Sequence, residues 1–311
     1  MANRIAFVFP GQGGQTVGMG RDLYDNFTSS RSIFETANAV LGFDLTRLCF
    51  EGPEDELTRT INTQPALFVT SAAALAVIKE HGIFPAVVAG HSIGEYAALY
   101  AAGAITLEDA LRLTLCRGEL MQHASEENPG TMAAVIGLNT DGVRKAVEMS
   151  QEFGVVDAAN FNSPGQVVIS GEPAAVSKAG EMALGLGAKR AILLKVGGAF
   201  HSRLMKSAAA AMEAELQKAN ISDPEIPVVA NVSADYVRSA DEIRLSLAQQ
   251  ITGSVLWEDS IRKIAADGID AFLELGAGTT LAGMIKRIVP DVPVASVGDK
   301  ASLEAFLANN L

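Results

Sequence analysis

Short apolar runs alternate along the chain with longer stretches in which apolar residues recur at helical spacing. The apolar runs at 5–9 and 86–89 have the length of buried strands. Helical spacing is seen at 30–41 and 65–80, then from 94 to about 102 and from 107 to about 124. Strands that alternate with helices in this way predict an α/β fold with a parallel sheet.

The pattern changes after Asn128-Pro129-Gly130. The next elements are predicted in the order strand, helix, strand, strand, helix, strand, at 132–138, 141–153, 155–159, 167–170, 173–184 and 191–196. This βαββαβ order predicts a ferredoxin-like small domain at 129–198, inserted into a large domain formed by 1–128 and 199–311. The large domain resumes with a helix at 202–220 and strands near 228–232, 271–275 and 294–297.

Ser92 stands in Gly90-His91-Ser92-Ile93-Gly94, between an apolar run and an alanine-rich helix. Gly-x-Ser-x-Gly in a strand-turn-helix context predicts a nucleophile elbow. The two glycines keep the turn free of Cβ atoms, and the backbone N–H of Ile93 points at the space that the hydroxyl faces. The alternative is a glycine-rich connection in which the serine only caps a helix, but the flanking strand and helix favour the elbow.

Composition narrows the classes of function. The 311 residues are 49% hydrophobic and 19% charged, which predicts a large core, and the net charge of -12 argues against a nucleic-acid partner. Two cysteines and four histidines lack the paired spacing of metal ligands, so no metal site is predicted. No signal peptide and no uninterrupted apolar run of membrane-spanning length is seen, so we predict a cytoplasmic protein without a membrane partner.

A serine nucleophile needs a base, and four histidines are candidates. His91 adjoins Ser92 and is expected to pack or bond locally, because adjacent side chains diverge at such a turn. His81 ends the helix before the elbow strand, at the opposite edge of the sheet, whereas topology does not exclude His123. We favour His201, beside the cleft between the domains, where a helix N-terminus would keep its ring neutral. Its alternative is an exposed or helix-capping histidine.

Arg117 falls on the apolar face of the helix predicted at 107–124. That face is formed by Leu113, Cys116, Leu120, Met121 and Ala124. An arginine in such a position needs an anion. The anion is either an internal Asp or Glu or a substrate carboxylate bound by two parallel hydrogen bonds, and the sequence leaves both open.

Two glycine-rich loops depart from the known phosphate-binding motifs. In the first, after the strand at 5–9, Thr16 replaces the third glycine of the dinucleotide motif and Met19 replaces the Walker lysine. No nucleotide site is therefore predicted there. The second, Gly276-Ala277-Gly278, is too short a match, and the start of a helix is favoured.

These motifs together resemble those of malonyl-CoA:acyl carrier protein transacylases of fatty acid and polyketide synthesis. They are Gly11-Gln12-Gly13-Gly14-Gln15, the elbow through Glu95, Arg117, Phe200-His201-Ser202, and Gln250 with Trp257. The resemblance implies an α/β-hydrolase-like large domain with a parallel central sheet and a ferredoxin-like small domain. Gly14 departs from the serine of many relatives, and Thr252-Gly253-Ser254 departs from a common proline-containing turn.

The resemblance also implies roles for the matched residues. Ser92 is then the acyl nucleophile, His201 its base, and a carbonyl matched at Gln250 orients the histidine in place of an Asp. The backbone N–H of Gln12 joins that of Ile93 in the oxyanion hole. The loop at 11–15 thereby gains a function that the phosphate motifs did not give it.

The implied substrate follows from two further positions. Arg117 is matched to the clamp on the free malonyl carboxylate, and Phe200 is typical of relatives that use malonyl rather than methylmalonyl groups. The implied reaction moves malonyl from malonyl-CoA through Ser92 to the phosphopantetheine thiol of acyl carrier protein, without a cofactor. The alternatives are a thioesterase or esterase that uses water, although its HGGG-type loop is absent, and an inactive scaffold subunit.

Five cations cluster in sequence around the exit from the small domain: Lys189, Arg190, Lys195, Arg203 and Lys206. Acyl carrier proteins are generally acidic, so a local basic patch would let one dock on this acidic chain. We therefore predict that these residues, named here the carrier patch, bind the carrier. The alternative is an ordinary set of solvated cations.

Overall fold

A computed structural model describes residues 4–308 of the chain. The strands are β1 (Ile5–Phe9), β2 (Val87–Gly90), β3 (Thr131–Ile136), β4 (Val156–Ser163), β5 (Gln166–Gly171), β6 (Arg190–Leu193), β7 (Val228–Val229), β8 (Tyr236–Val237), β9 (Ala271–Leu275) and β10 (Val294–Val297). The helices are α1 (Arg21–Asn26), α2 (Thr28–Leu41), α3 (Leu45–Glu51), α4 (Glu54–Thr58), α5 (Thr60–Glu80), α6 (Gly94–Ala101), α7 (Leu107–Glu127), α8 (Thr140–Glu148), α9 (Pro173–Gly185), α10 (Lys206–Lys218), α11 (Ala240–Gln250), α12 (Trp257–Ala266), α13 (Thr280–Ile288) and α14 (Lys300–Ala308).

The central sheet has six strands in the order β10-β9-β1-β2-β7-β8. All neighbours are parallel except β7 and β8, which are antiparallel. Side chains of β1 enter two different cores: Phe7 packs with α5 and α7 residues, whereas Val8 packs with α12 and α13 residues. Helices thus cover both faces of the sheet, as the apolar strands require. The carboxyl ends of β1 and β2 lie side by side, which brings the loop after Phe9 next to the elbow.

The second sheet is antiparallel, in the order β4-β5-β3-β6. On β3, Ala133 and Val135 pack with residues of α8 and α9, whereas Met132 and Ala134 face the core of the large domain. This is the predicted ferredoxin-like arrangement, and its strands lie between residues 131 and 193. The exact limits at 128/129 and 198/199 stay a prediction. Residues 1–3 and 309–311 of the predicted large domain lie outside the described residues.

Several predicted element boundaries were wrong. The strand predicted to end at 159 runs to Ser163, and the strand predicted at 191–196 ends at Leu193. The helix predicted at 202–220 begins at Lys206, because Ser202 caps a separate 3-10 turn at Arg203–Met205. The helix predicted at 141–153 ends at Glu148 and is followed by a 3-10 turn at Gln151–Phe153.

Helix α5 is long and apolar enough by composition to cross a membrane, the one such helix within residues 4–308. Of its apolar window, 83% is buried inside the protein. It packs against α2 and α7 in the main core. We therefore interpret α5 as a core helix.

The loop at 276–278 leads into α13, as the structural interpretation of that sequence predicts. Glu274 at the end of β9 is buried and accepts the N–H groups of Leu281 and Ala282 at 3.0 and 2.9 Å. An internal carboxylate thus occupies the anion-binding position at this helix N-terminus.

Candidate active site

Seven of the predicted site residues border one cavity of about 500 Å³: Gln12, Ser92, Ile93, Arg117, Lys195, Phe200 and His201. The large domain contributes the elbow, Arg117 and the loop after β1, and the small domain contributes Met132, Asn160 and Asn162. Phe200 and His201 lie where the chain has returned to the large domain. The cavity is thus a cleft between domains, the usual place for a small-molecule site.

Ser92 lies on a strained turn between β2 and α6. Its φ of 53° is in the left-handed region that residues other than glycine rarely adopt. A Cβ at Gly90 would collide with the backbone of Gly94, and one at Gly94 would collide with the carbonyl of Phe9. Asn231 holds the turn: its Oδ1 accepts the N–H of Ser92 at 2.7 Å, and its Nδ2 donates to the carbonyl of Gly90 at 2.6 Å.

His201 lies between the nucleophile and a main-chain carbonyl. Its Nε2 is 2.8 Å from Ser92 Oγ, and its Nδ1 is 2.8 Å from the carbonyl oxygen of Gln250. A carbonyl oxygen can only accept, so Nδ1 carries the proton and Nε2 is free to take the proton of the serine hydroxyl. The φ of His201 is 58°, a second strained backbone at the site.

The carbonyl that orients His201 ends a helix. Gln250 is the last residue of α11, where main-chain carbonyls have no helical partner and carry partial negative charge. That charge favours the imidazolium formed during proton transfer. The carbonyl thus takes the position that an Asp carboxylate has in a Ser-His-Asp triad.

Burial, followed by the positive charge of Arg117, lowers the pKa of His201 to about 3. Contrary to the sequence prediction, the neutral ring does not depend on the N-terminus of a helix, since a 3-10 turn separates His201 from α10. The ring is neutral at physiological pH because a charged imidazole would be buried beside a guanidinium.

Arg117 is 1% exposed and reaches the nucleophile. Its Nη1 donates to Gln64 Oε1 at 2.7 Å, and its Nη2 donates to Gln250 Oε1 at 2.9 Å and to Ser92 Oγ at 3.3 Å. Across residues 4–308 no carboxylate oxygen lies within 4.0 Å of the guanidinium, and its Nε has no hydrogen-bond partner. The internal ion pair left open by the sequence is not formed, so the guanidinium can receive a ligand carboxylate.

The two predicted oxyanion donors both border the cavity. Ile93 immediately precedes the first turn of α6, and Gln12 lies in the neighbouring loop after β1. Neither backbone N–H donates to a protein acceptor in the described part of the chain. Both groups are therefore free to bind an oxyanion, and this role stays a proposal.

The other three histidines do not contact Ser92 Oγ. His91 Nε2 bonds Asn162 Oδ1 on β4 at 2.9 Å, a contact with the small domain rather than the local one predicted. Burial lowers the pKa of His91. His81 bonds the carbonyl of Val77 within α5, and His123 pairs with Glu127 on an exposed part of α7.

Phe200 is buried next to His201 and borders the cavity, but its predicted effect on acyl choice is untested. The carrier patch is exposed, and Lys195 lies at the cavity. Arg203 differs from the other four patch residues because its Nε donates to Asp157 at 2.9 Å and its Nη2 to Gln151 at 2.7 Å. Asp157 balances the charge of Arg203, which leaves four cations in the proposed patch: Lys189, Arg190, Lys195 and Lys206.

The sequence predicts no role for four residues that shape the site: Gln64, Glu95, Asn162 and Asn231. Glu95 is 2% exposed, and its Oε2 accepts from Gln250 Nε2 at 2.7 Å and from the N–H of Asn231 at 3.1 Å. Gln64 directly precedes the apolar stretch at 65–80, and a polar residue in that position is a signal that could have identified it. Asn231 gives no comparable signal, because its partners are distant in sequence.

Comparison with known proteins agrees with this geometry. Residues 6–303 match the acyl transferase domain family. A malonyl CoA-acyl carrier protein transacylase of Bacillus subtilis (strain 168) is 42% identical over 97% of this chain and 96% of its own length. The crystal structure of an acyl carrier protein S-malonyltransferase from Vibrio cholerae is 41% identical, with a TM-score of 0.95 over 97% of this chain and 99% of that one.

A third relative is a malonyl-transacylase solved in complex with a type II PKS acyl-carrier protein. It is 43% identical and has a TM-score of 0.95, over 98% of this chain and 99% of that one. The similarity extends over nearly the whole of each protein, including both sheets. The chain therefore belongs to the malonyl CoA-acyl carrier protein transacylase family, within the acyl transferase domain family.

Proposed function

We propose that this protein transfers a malonyl group from malonyl-CoA to the phosphopantetheine thiol of an acyl carrier protein, through an ester on Ser92. The observation that carries the substrate class is the position of Arg117. A buried guanidinium without a carboxylate partner lies 3.3 Å from the nucleophilic oxygen, inside the cavity. A malonyl thioester offers what this site needs: a carbonyl for Ser92 and, one methylene away, a carboxylate for Arg117.

In the first half-reaction Ser92 Oγ attacks the thioester carbonyl and its proton passes to His201 Nε2. The backbone N–H groups of Gln12 and Ile93 stabilise the tetrahedral oxyanion, each lowering the barrier by on the order of 3 kcal/mol. When the C–S bond breaks, the proton on Nε2 goes to the departing sulfur, and coenzyme A leaves as a thiol. The product is the malonyl ester of Ser92.

In the second half-reaction the carrier thiol gives its proton to His201 Nε2 and attacks the ester carbonyl. Collapse of the intermediate breaks the C–O bond, and Nε2 returns the proton to Ser92 Oγ. The sequence thioester, ester, thioester is nearly balanced in energy, so the chemistry needs no nucleotide and no metal.

The acceptor is the acidic carrier, and we propose that four residues of the carrier patch, Lys189, Arg190, Lys195 and Lys206, receive it. Support comes from the exposure of these cations and from Lys195, which borders the cavity that the phosphopantetheine arm must enter. We place the reaction in the cytoplasm, in fatty acid or polyketide synthesis.

The test measures transfer against hydrolysis. The protein is incubated with radiolabelled malonyl-CoA, with or without holo acyl carrier protein, and malonyl-carrier and free malonate are quantified. We expect malonyl-carrier to dominate when the carrier is present and both products to be lost in Ser92→Ala. Malonate release at an equal rate with and without the carrier would instead establish the thioesterase alternative.

A further inference from the structure

Arg117 contacts the nucleophile as well as the proposed carboxylate site. Ser92 Oγ lies 3.3 Å from Arg117 Nη2, which donates to it, and 2.8 Å from His201 Nε2. The hydroxyl oxygen is therefore held between a base and a full positive charge. A lone pair that accepts from a guanidinium is less available for attack, so this contact opposes the chemistry that His201 promotes.

The other groups around His201 compensate this opposition only in part. Arg117 on α7 and His91 at the elbow lower the pKa of His201, whereas the hydrogen bonds to the backbone of Gln250 and Gly253 raise it. Glu95 on α6 is separated from Arg117 by the Gln250 carboxamide, and burial raises the pKa of this carboxyl to about 7. The nearest acid thus acts through a carboxamide and is only partly ionised at neutral pH, so the charge of Arg117 still acts on the catalytic pair.

We propose that the carboxylate of the acyl group activates the nucleophile. When it binds Arg117, it neutralises the charge beside Ser92 and His201 and draws Nη2 away from Oγ. The imidazole regains basicity and the serine oxygen regains its free lone pair. This inference rests on the proposed function in taking Arg117 as the carboxylate site.

The protein then selects the acyl group through the rate at which Ser92 is acylated as well as through the affinity for acyl-CoA. A neutral acyl-CoA can occupy the cavity, but it meets a serine that Arg117 still holds inactive. Arg117 as a simple clamp would change only the affinity for acyl-CoA, whereas activation by the carboxylate also changes the reactivity of Ser92.

The test separates the carboxylate from the acyl donor. Methanesulfonyl fluoride is a small neutral reagent: Ser92 Oγ forms the O–S bond, fluoride leaves, and the serine proton goes to His201 Nε2. Sodium acetate supplies a free carboxylate for Arg117. We expect acetate to accelerate inactivation of the wild-type protein by about threefold to tenfold, with saturation. The reason is that each unit regained in the pKa of His201 makes proton transfer from Ser92 about tenfold more favourable.

Two variants complete the test. Arg117→Gln should react faster than wild type without acetate, should not respond to acetate, and should show its pH inflection at a higher pH. Arg112→Gln, which removes an exposed arginine of the same helix, should behave as wild type. No acceleration of the wild type by acetate, or an Arg117→Gln variant no faster than wild type, would overturn the inference.

Loading of Ser92 by malonyl-CoA is measured on the same protein preparations. If malonyl-CoA acylates Ser92 but acetate does not accelerate sulfonylation, this inference fails and the proposed function stands. If malonyl-CoA does not acylate Ser92, the proposed function itself fails.

Discussion

Gln250 serves the site through two separate groups. Its main-chain carbonyl orients His201, and its carboxamide lies between Arg117 and Glu95. Because Glu95 accepts and Arg117 donates, only one orientation of the carboxamide satisfies both neighbours. The side chain of Gln250 therefore aligns the guanidinium, whereas its backbone aligns the base.

Gln250→Ala separates the two contributions. The carbonyl to His201 is retained and the contact with Arg117 is lost. We expect malonyl loading of Ser92 to fall about tenfold while acetyl loading changes less than twofold, as measured by the rate of acyl-serine formation. Gln249→Ala removes an exposed neighbouring glutamine and is the matched control. An equal loss with both acyl groups would contradict a role in aligning Arg117.

Glu95 predicts a pH-dependent difference in stability. Burial raises its pKa from 4.5 to about 7, so the folded state keeps a proton that the unfolded chain releases between these values. Ionising Glu95 therefore costs folding free energy as pH rises through this window, and Glu95→Gln removes that cost. The free energy of unfolding of Glu95→Gln relative to wild type should rise from pH 4.5 to 7 by on the order of 3 kcal/mol and then level off.

Urea denaturation of both proteins at several values between pH 4.5 and 8 measures this difference. Residues that are unchanged in the variant, including His201, cancel in the comparison. A difference that does not vary with pH would show that Glu95 titrates normally in the folded protein.

Two residues at the centre of the site were predictable because each has a local sequence signal. Ser92 has its flanking glycines, and Arg117 is a charge on an apolar helix face. The partners of Arg117 were not predictable in the same way. Gln64 and Gln250 are glutamines in other helices, and only the packing of α5, α7 and α11 brings them to the guanidinium.

At the scale of elements, β4 connects the two domains at the site. It extends to Ser163, past its predicted end, and carries Asn162 to His91. The N–H of Phe161 donates to the carbonyl of Val255, and the N–H of Val255 donates to the carbonyl of Ala159, so the strand also pairs with the segment after α11. The polar residues at 160 and 162 hid this strand from an apolar-pattern prediction, because they face a functional cavity.

Asn162→Ala tests this connection. It leaves the half-buried imidazole of His91 without its partner, so we expect a loss of about 1 kcal/mol in the free energy of unfolding. Loading of Ser92 should also slow, because the small domain is no longer tied to the elbow. Denaturation and acylation rates measure the two effects, with the exposed Asn220→Ala as a control. Unchanged stability would show that the bond contributes nothing.

At the scale of the whole molecule, the acidic chain exposes the four cations of its proposed carrier patch, and one of them, Lys195, borders the cleft. The fold class followed from the order of strands and helices, since each βα unit has few ways to pack. The sequence could not show that Arg203 pairs with Asp157, because the two residues lie in different domains. Arg203 is therefore left out of the proposed patch, which keeps Lys189, Arg190, Lys195 and Lys206.

Charge reversal at Arg190 and Lys206 tests the patch. The double variant should raise the KM for the acidic carrier about tenfold and leave malonyl loading from coenzyme A unchanged, because only the second half-reaction needs the patch. Arg47→Glu makes the same kind of charge change on the exposed face of α3 and should leave both half-reactions unaffected. Equal effects of the double variant on both half-reactions would contradict docking at these residues.

The central claim is that Ser92 carries the acyl group and Arg117 selects it for a carboxylate. Its most direct test is mass spectrometry of the Ser92 peptide after brief exposure to malonyl-, methylmalonyl- or acetyl-CoA, in wild type and in Arg117→Ala. The account predicts that malonyl-Ser92 forms much faster than acetyl-Ser92 in wild type, and that Arg117→Ala abolishes this preference. An unmodified Ser92 after exposure to malonyl-CoA, or a malonyl preference that persists in Arg117→Ala, would contradict it.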